Sequence, residues 1–224
     1  MNKTTKRKLN LTMWDYLYWI MAIVPFVISA VFYTRLPDQV PTHWNAANEI
    51  NGYSSRLMAC FGIPAFMLAM AVLVNISFRI DPKRANLARS KELLQIVRWF
   101  IVLLAILVQI ITVSAGLGRE INVGILTSVP IGLLFIAIGN YMPRCHQNYV
   151  LGIKLPWTLN DEENWNKTHH LAGYIWTAGG ILMVVCGVLG MAGLYFFIVL
   201  AIILIPTVYS YLLYRRKQEP DHDR

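Results

Sequence analysis

Leu171-Ala-Gly-Tyr-Ile-Trp-Thr-Ala-Gly-Gly180-Ile-Leu-Met-Val-Val-Cys-Gly-Val-Leu-Gly190-Met-Ala-Gly-Leu-Tyr-Phe-Phe-Ile-Val-Leu200-Ala-Ile-Ile-Leu-Ile-Pro-Thr-Val-Tyr-Ser210-Tyr-Leu-Leu-Tyr214 contains no Asp, Glu, Lys, Arg or His. These 44 residues drawn out as one helix would measure about 66 Å at ~1.5 Å per residue, twice the ~30 Å hydrocarbon core of a bilayer. The run must therefore fold back once. Gly187, Gly190 and Gly193 put the reversal around Met191-Ala192. Two membrane-spanning helices follow from this one stretch.

Working towards the N-terminus, four more uncharged runs appear: Ile121 to Met142, Trp99 to Gly118, Leu57 to Phe78 and Tyr16 to Thr34. Each has roughly the 20 apolar residues a span requires. The sequence thus predicts an all-α integral membrane protein with six transmembrane helices. Composition agrees: of 224 residues 56% are hydrophobic and 14% charged, against about 25% charged in a soluble domain. Disorder is excluded by the same figures. The first run follows Lys3, Lys6, Arg7 and Lys8, which suits a signal peptide. It is longer than a ~7–15-residue signal core and continues through Pro25 to Tyr33, so it reads as a retained helix. Three distant cysteines (Cys60, Cys145, Cys186) offer neither a disulfide framework nor a zinc-finger spacing.

Orientation follows from the basic residues. With the N-terminus inside, 17 of the 20 Lys and Arg fall on inner segments and 3 (Arg35, Arg56, Arg119) on outer links. Both termini are expected in the cytoplasm of a bacterial cell. The net charge of +8 is then an inner-leaflet feature, and no nucleic-acid partner is needed.

Two links exceed simple turns, an outer loop at about 35–56 and an inner loop at about 143–170. In the outer one, Pro37 and Pro41 stiffen the start, Val40 to Trp44 reads as extended, and Asn51-Gly52 reads as a turn. In the inner one, Asn160 three residues before Glu163, with Asp161 and Glu162 between, predicts a helix start near Asp161 that runs into the fifth span. Trp165, His169 and Gly173 then share a face. Gly173, Gly180 and Gly187 form a stripe that lets a neighbouring helix approach closely, in a static or a moving interface. Asn75, Gln109, Asn122 and Asn140 are amides in or near spans and are expected to face other helices. No Asp, Glu, Lys or Arg falls in the middle of a span, which argues against an ion-coupled transporter.

With both loops in view the chain resembles the SdpI family of bacterial multipass membrane proteins. Leu36-Pro-Asp-Gln-Val-Pro-Thr-His-Trp-Asn45, on to Gly52-Tyr53, resembles the N-terminal DUF1648 module. Gly139-Asn-Tyr-Met-Pro143, Asn148-Tyr-Val-Leu-Gly-Ile-Lys-Leu-Pro-Trp-Thr158, Trp165-Asn-Lys-Thr-His169 and Gly173 resemble the family signature. This places a DUF1648-like module at 1–92 and an SdpI-like module at 93–224. One departure is Lys154-Leu155-Pro156, where the family pattern has Arg-Thr-Pro: the charge stays and Leu155 lacks a hydroxyl.

The resemblance implies immunity, in which a membrane protein neutralises a secreted, membrane-active peptide toxin and signals by holding a small ArsR-like repressor at the membrane. On that reading His43, Trp44, Asn45, Glu49, Gly52 and Tyr53 form the outer, toxin-facing site. Asn140, Pro143, Asn148, Gly152, Lys154, Pro156, Trp157, Thr158, Trp165, Thr168, His169 and Gly173 form the inner signature, with Trp157, Trp165 and the acidic turn as a docking surface for the regulator. No nucleophile elbow, phosphate loop, paired intramembrane aspartates or zinc motif is present. A non-enzyme without cofactor or bound metal is expected. The alternatives are a transporter or channel for a small solute or lipid, motivated by the glycine stripe and span amides, and a membrane enzyme acting at His169 or His146.

Overall fold

The computed structural model describes residues 12–218; the basic residues from Lys3 to Lys8, and Arg224, lie outside them. Eight α-helices and one β-hairpin follow in the order α1 (Met13–Phe32), β1 (Gln39–Trp44), β2 (Ile50–Ser55), α2 (Ile63–Ile80), α3 (Arg84–Arg89), α4 (Lys91–Gly116), α5 (Val123–Tyr141), α6 (Pro156–Asn160), α7 (Glu162–Val188) and α8 (Tyr195–Gln218). Six of the helices are long and apolar enough to cross a membrane. The protein is an all-α multi-pass membrane protein with one small hairpin added.

Boundaries differ from the sequence reading where polar groups find partners. α4 begins at Lys91, two turns before the uncharged run, because Arg98 is buried inside it. Its guanidinium meets Asp15 of α1 at 2.9 Å and lies 4.6 Å from the Tyr18 ring centre. Tyr18 also accepts a hydrogen bond from Asn75 of α2 at 3.1 Å. An ionisable group at this depth needs such a partner, so the pair sits at the point where α1, α2 and α4 converge. Arg98 is therefore a packing residue. The chain reverses between α7 and α8 at Gly190, whose φ of +71° suits glycine. The Met191 N–H reaches back to the Cys186 carbonyl at 2.8 Å and closes the end of α7.

The helices pack as two groups of three. α4 lies chiefly against α1 and α2, although the sequence division at 92/93 puts it with the second module; α5, α7 and α8 form the other group. The α5–α7 seam is the tightest, and two glycine rows make it so. A Cβ on Gly132 would stand 2.7 Å from the Gly180 carbonyl, and one on Gly173 2.9 Å from the Gly139 carbonyl. Gly187 lies against Ser128 and Tyr195. Backbone contact this close is the form of association that small residues permit in lipid.

The two groups are joined by polar contacts at both ends. At one end, which carries the hairpin, Asn48 donates to the Ile121 carbonyl (3.1 Å) and accepts from the Gly124 N–H (3.1 Å). At the other, Ser90 accepts from the His146 N–H (3.0 Å), Asn86 donates to the Gln147 carbonyl (2.9 Å) and Lys83 meets the Gln147 side chain.

Candidate functional site

The loop end is built around residues 143–173. Asn148, wholly buried, accepts from the N–H groups of Val150 (2.8 Å) and Leu151 (2.6 Å) and donates to the His146 carbonyl (2.8 Å). A second anchor, unremarked in the sequence, is buried Asp81 after α2, whose carboxylate accepts from Lys83 N–H (2.7 Å) and Tyr149 N–H (2.9 Å). Thr158 is buried in α6, accepting from Leu155 N–H (2.9 Å) and donating to the Ile153 carbonyl (2.8 Å). Leu155 occupies the N-cap of α6 without a capping side chain, so Thr158 takes up the orphan N–H from inside the helix.

Trp165 and His169 lie stacked, 3.9 Å between ring centres, and both are fully buried. Trp165 donates to the Cys145 carbonyl at 2.6 Å. His169 donates from Nδ1 to the Trp165 carbonyl (2.8 Å) and accepts the Ile153 N–H at Nε2 (2.9 Å). Those partners fix one neutral tautomer and leave no ring nitrogen for catalysis or a metal. Gly152 makes the arrangement possible. Its φ is +97°, and a Cβ there would stand 2.3 Å from Nε2 of His169. Burial pushes the neighbouring Cys145 thiol up to about 11, which keeps it an inert filler.

Other signature residues also serve the local fold. Thr168 donates to Asn164 (3.0 Å), which donates to the Ser210 carbonyl on α8 (2.9 Å). Pro143 packs against Gly173. Lys154 is exposed and donates to the Val150 carbonyl, and Pro156 is the first residue of α6; Asn140, by contrast, expected to face another helix, is exposed. Trp165 cannot form part of a docking surface, because it has no exposed area. Trp157 is half-buried, donates to the Ser210 hydroxyl and stacks on Tyr214 of α8. The N-cap of α7 is Asp161 and not Asn160, accepting from Glu163 N–H (3.0 Å) and Asn164 N–H (3.1 Å). Lys217 on α8, hydrogen-bonded to it, holds the Asp161 carboxyl below the usual aspartate range.

The hairpin end is open by comparison. β1 and β2 pair antiparallel, with His43 opposite Gly52 and Trp44 opposite Ile50. Asn51-Gly52, read as a turn, lies within β2. The reversal falls at Asn45–Glu49, where Asn45 accepts the N–H groups of Ala47 and Glu49 (2.9 and 3.0 Å) and Asn48 takes φ +65°. Gly52 is required because a Cβ there would lie 2.8 Å from His43 Cβ. His43 donates to the Asn51 side chain (2.6 Å), and Asn45 to Glu49 (2.8 Å). The base is seated by Leu36 and Val40, which pack with Ala59, Cys60 and Val113, and is closed by Arg56 on Asp38 at 2.5 Å. His43, Glu49 and Tyr53 are exposed, Trp44 and Asn45 half-buried. Among the described residues no three His, Cys, Asp or Glu cluster as a metal site.

These two polar units coincide with two matches to known families. The SdpI/YfhL protein family matches residues 144–210, which run from the inner loop to Ser210. The domain of unknown function DUF1648 matches residues 20–68, which bracket the hairpin. Immunity protein SdpI of Bacillus subtilis (strain 168) is 27% identical over 208 residues, covering 88% of this chain and 94% of that protein. The chain belongs to the SdpI/YfhL family. Uncharacterized membrane protein YbgB of the same organism is 31% identical over 61 residues, 27% of this chain and 67% of that protein. No solved structure matches significantly. In this SdpI/YfhL protein, the family segment is the part whose motif residues are consumed by local folding.

Proposed function

We propose that this SdpI/YfhL protein is a membrane immunity protein whose hairpin end faces outward and meets a membrane-active peptide toxin. The observation that carries the reading is the similarity to an immunity protein along 88% of the chain. The exposure of His43, Glu49 and Tyr53 on the two-stranded hairpin supports this reading, as does Trp44 beside them, a residue type that favours the headgroup layer. The loop end faces the cytoplasm, the side to which the sequence reading assigns 17 of the 20 basic residues. The exposed acidic turn at Glu162 and Glu163, with half-buried Trp157, would receive a regulator such as an ArsR-like repressor.

Catalysis at His169 is disfavoured because both of its ring nitrogens are engaged. Transport along the glycine stripe is disfavoured because α5 fills it. Expression in a sensitive bacterium should raise tolerance to at least one peptide of a membrane-active panel, and fusion reporters at both tails should read as cytoplasmic. Unchanged killing across the panel would overturn the reading.

A further inference from the structure

The outward faces of the helices are mostly apolar, as lipid requires, but one groove on α7 departs from this. It has a volume of about 490 Å³, with Pro143 on one side and Tyr209 of α8 on the other. Its floor changes character along the helix. Asn166 and Lys167 lie towards the loop end, His170 follows, and Leu171 and Tyr174 lie deeper, where the uncharged run begins. From Lys167 to Tyr174 is about 10 Å at ~1.5 Å per residue. Over that distance the lining passes from ammonium and imidazole to aromatic and aliphatic surface. No carboxylate lines it.

We infer that this groove is a binding site for an anionic phospholipid. Lys167 and His170 hold the phosphate, and the upper acyl carbons lie against Leu171 and Tyr174. The order of these groups repeats the order of a lipid from headgroup to chain. Tyr174 and Tyr209 flank it as tyrosines do at headgroup depth, and basic pockets between spanning helices take acidic headgroups. Lys167 pairs with Glu163 at 2.6 Å, but both side chains are more than half exposed and Glu163 also takes Lys217 at 2.7 Å. The lysine is therefore free to exchange partners, because an exposed pair of this kind holds weakly. The inference is independent of the toxin reading.

The test uses the purified full chain in neutral detergent, titrated with phosphatidylglycerol, phosphatidylcholine or inorganic phosphate and followed by thermal unfolding and native mass spectrometry. Phosphatidylglycerol should raise the unfolding midpoint and remain bound, whereas phosphatidylcholine and inorganic phosphate should do neither. Lys167→Gln should weaken phosphatidylglycerol binding about fivefold, Lys167→Gln with His170→Gln further, and Lys167→Arg should restore it. Equal binding by wild type and the double variant, equal effects of the two lipids, or a full effect of inorganic phosphate alone would each overturn the proposal.

Discussion

The hairpin end and the loop end carry similar inventories of His, Trp, Asn and acid, yet use them in opposite ways. At the loop end Asn148, Thr158, Trp165, Thr168 and His169 have no exposed area, and their polar side-chain atoms are committed to backbone partners or, for Thr168, to the Asn164 side chain. The motif there folds an irregular loop that could not otherwise satisfy its amides. At the hairpin end regular strand pairing satisfies the backbone, so His43, Glu49 and Tyr53 remain exposed. A dense polar motif in a membrane protein can therefore mark either a ligand site or a loop that must be stitched together.

Substitutions at the two ends should separate accordingly. The largest effect is expected at the Gly152–His169 contact. Gly152→Ala forces a left-handed backbone and a clash, and His169→Ala strips the Ile153 N–H of its acceptor; each should lower stability in detergent by ~3 kcal/mol or more, read from thermal unfolding. Asn148→Ala leaves two buried N–H groups unpaired and should cost ~2–4 kcal/mol by the same assay. A smaller loss would show that water replaces the amide and that the loop is less enclosed than its geometry implies.

The spans were legible in the sequence because lipid forbids unpaired charge and the uncharged runs had the right length. The reversal at Gly190 was legible for the same reason. Polar partners across the fold were not. Nothing local in Lys91–Arg98 announces that Arg98 will meet Asp15, 83 residues away, and Asp81 looks like an ordinary turn residue until Tyr149 donates to it. The second strand was missed because Asn51-Gly52 carries the turn signature. The side-chain turn of Asn45 took the reversal instead, and Gly52 was needed for closeness to His43. The signature residues were found by resemblance, but their burial depended on contacts between distant segments.

At the hairpin the effects on stability should be smaller. Asn48→Ala removes the bonds to Ile121 and to Gly124 at the start of α5, and its favourable left-handed turn, and should cost ~1–2 kcal/mol. His43→Ala and Tyr53→Ala should each stay within ~0.5 kcal/mol while reducing peptide tolerance in cells. The smallest effect concerns the end of α8. Asp161 is held below its ordinary pKa chiefly by its hydrogen bond to Lys217. The stability this contributes is present above the unfolded aspartate value and lost as pH falls through the lower folded one. Asp161→Asn should therefore match wild type in acid and fall slightly below it at neutral pH, in unfolding midpoints measured from pH 3 to 7.

The division of labour itself is tested most directly by measuring peptide tolerance per unit of membrane-inserted protein, in cells expressing wild type or the double variant of His43→Ala and Tyr53→Ala. The account predicts that the variant accumulates in the membrane as wild type does and that tolerance falls towards that of cells without the protein. Full tolerance from the variant at equal abundance would contradict it, and would move the toxin-facing chemistry away from the hairpin.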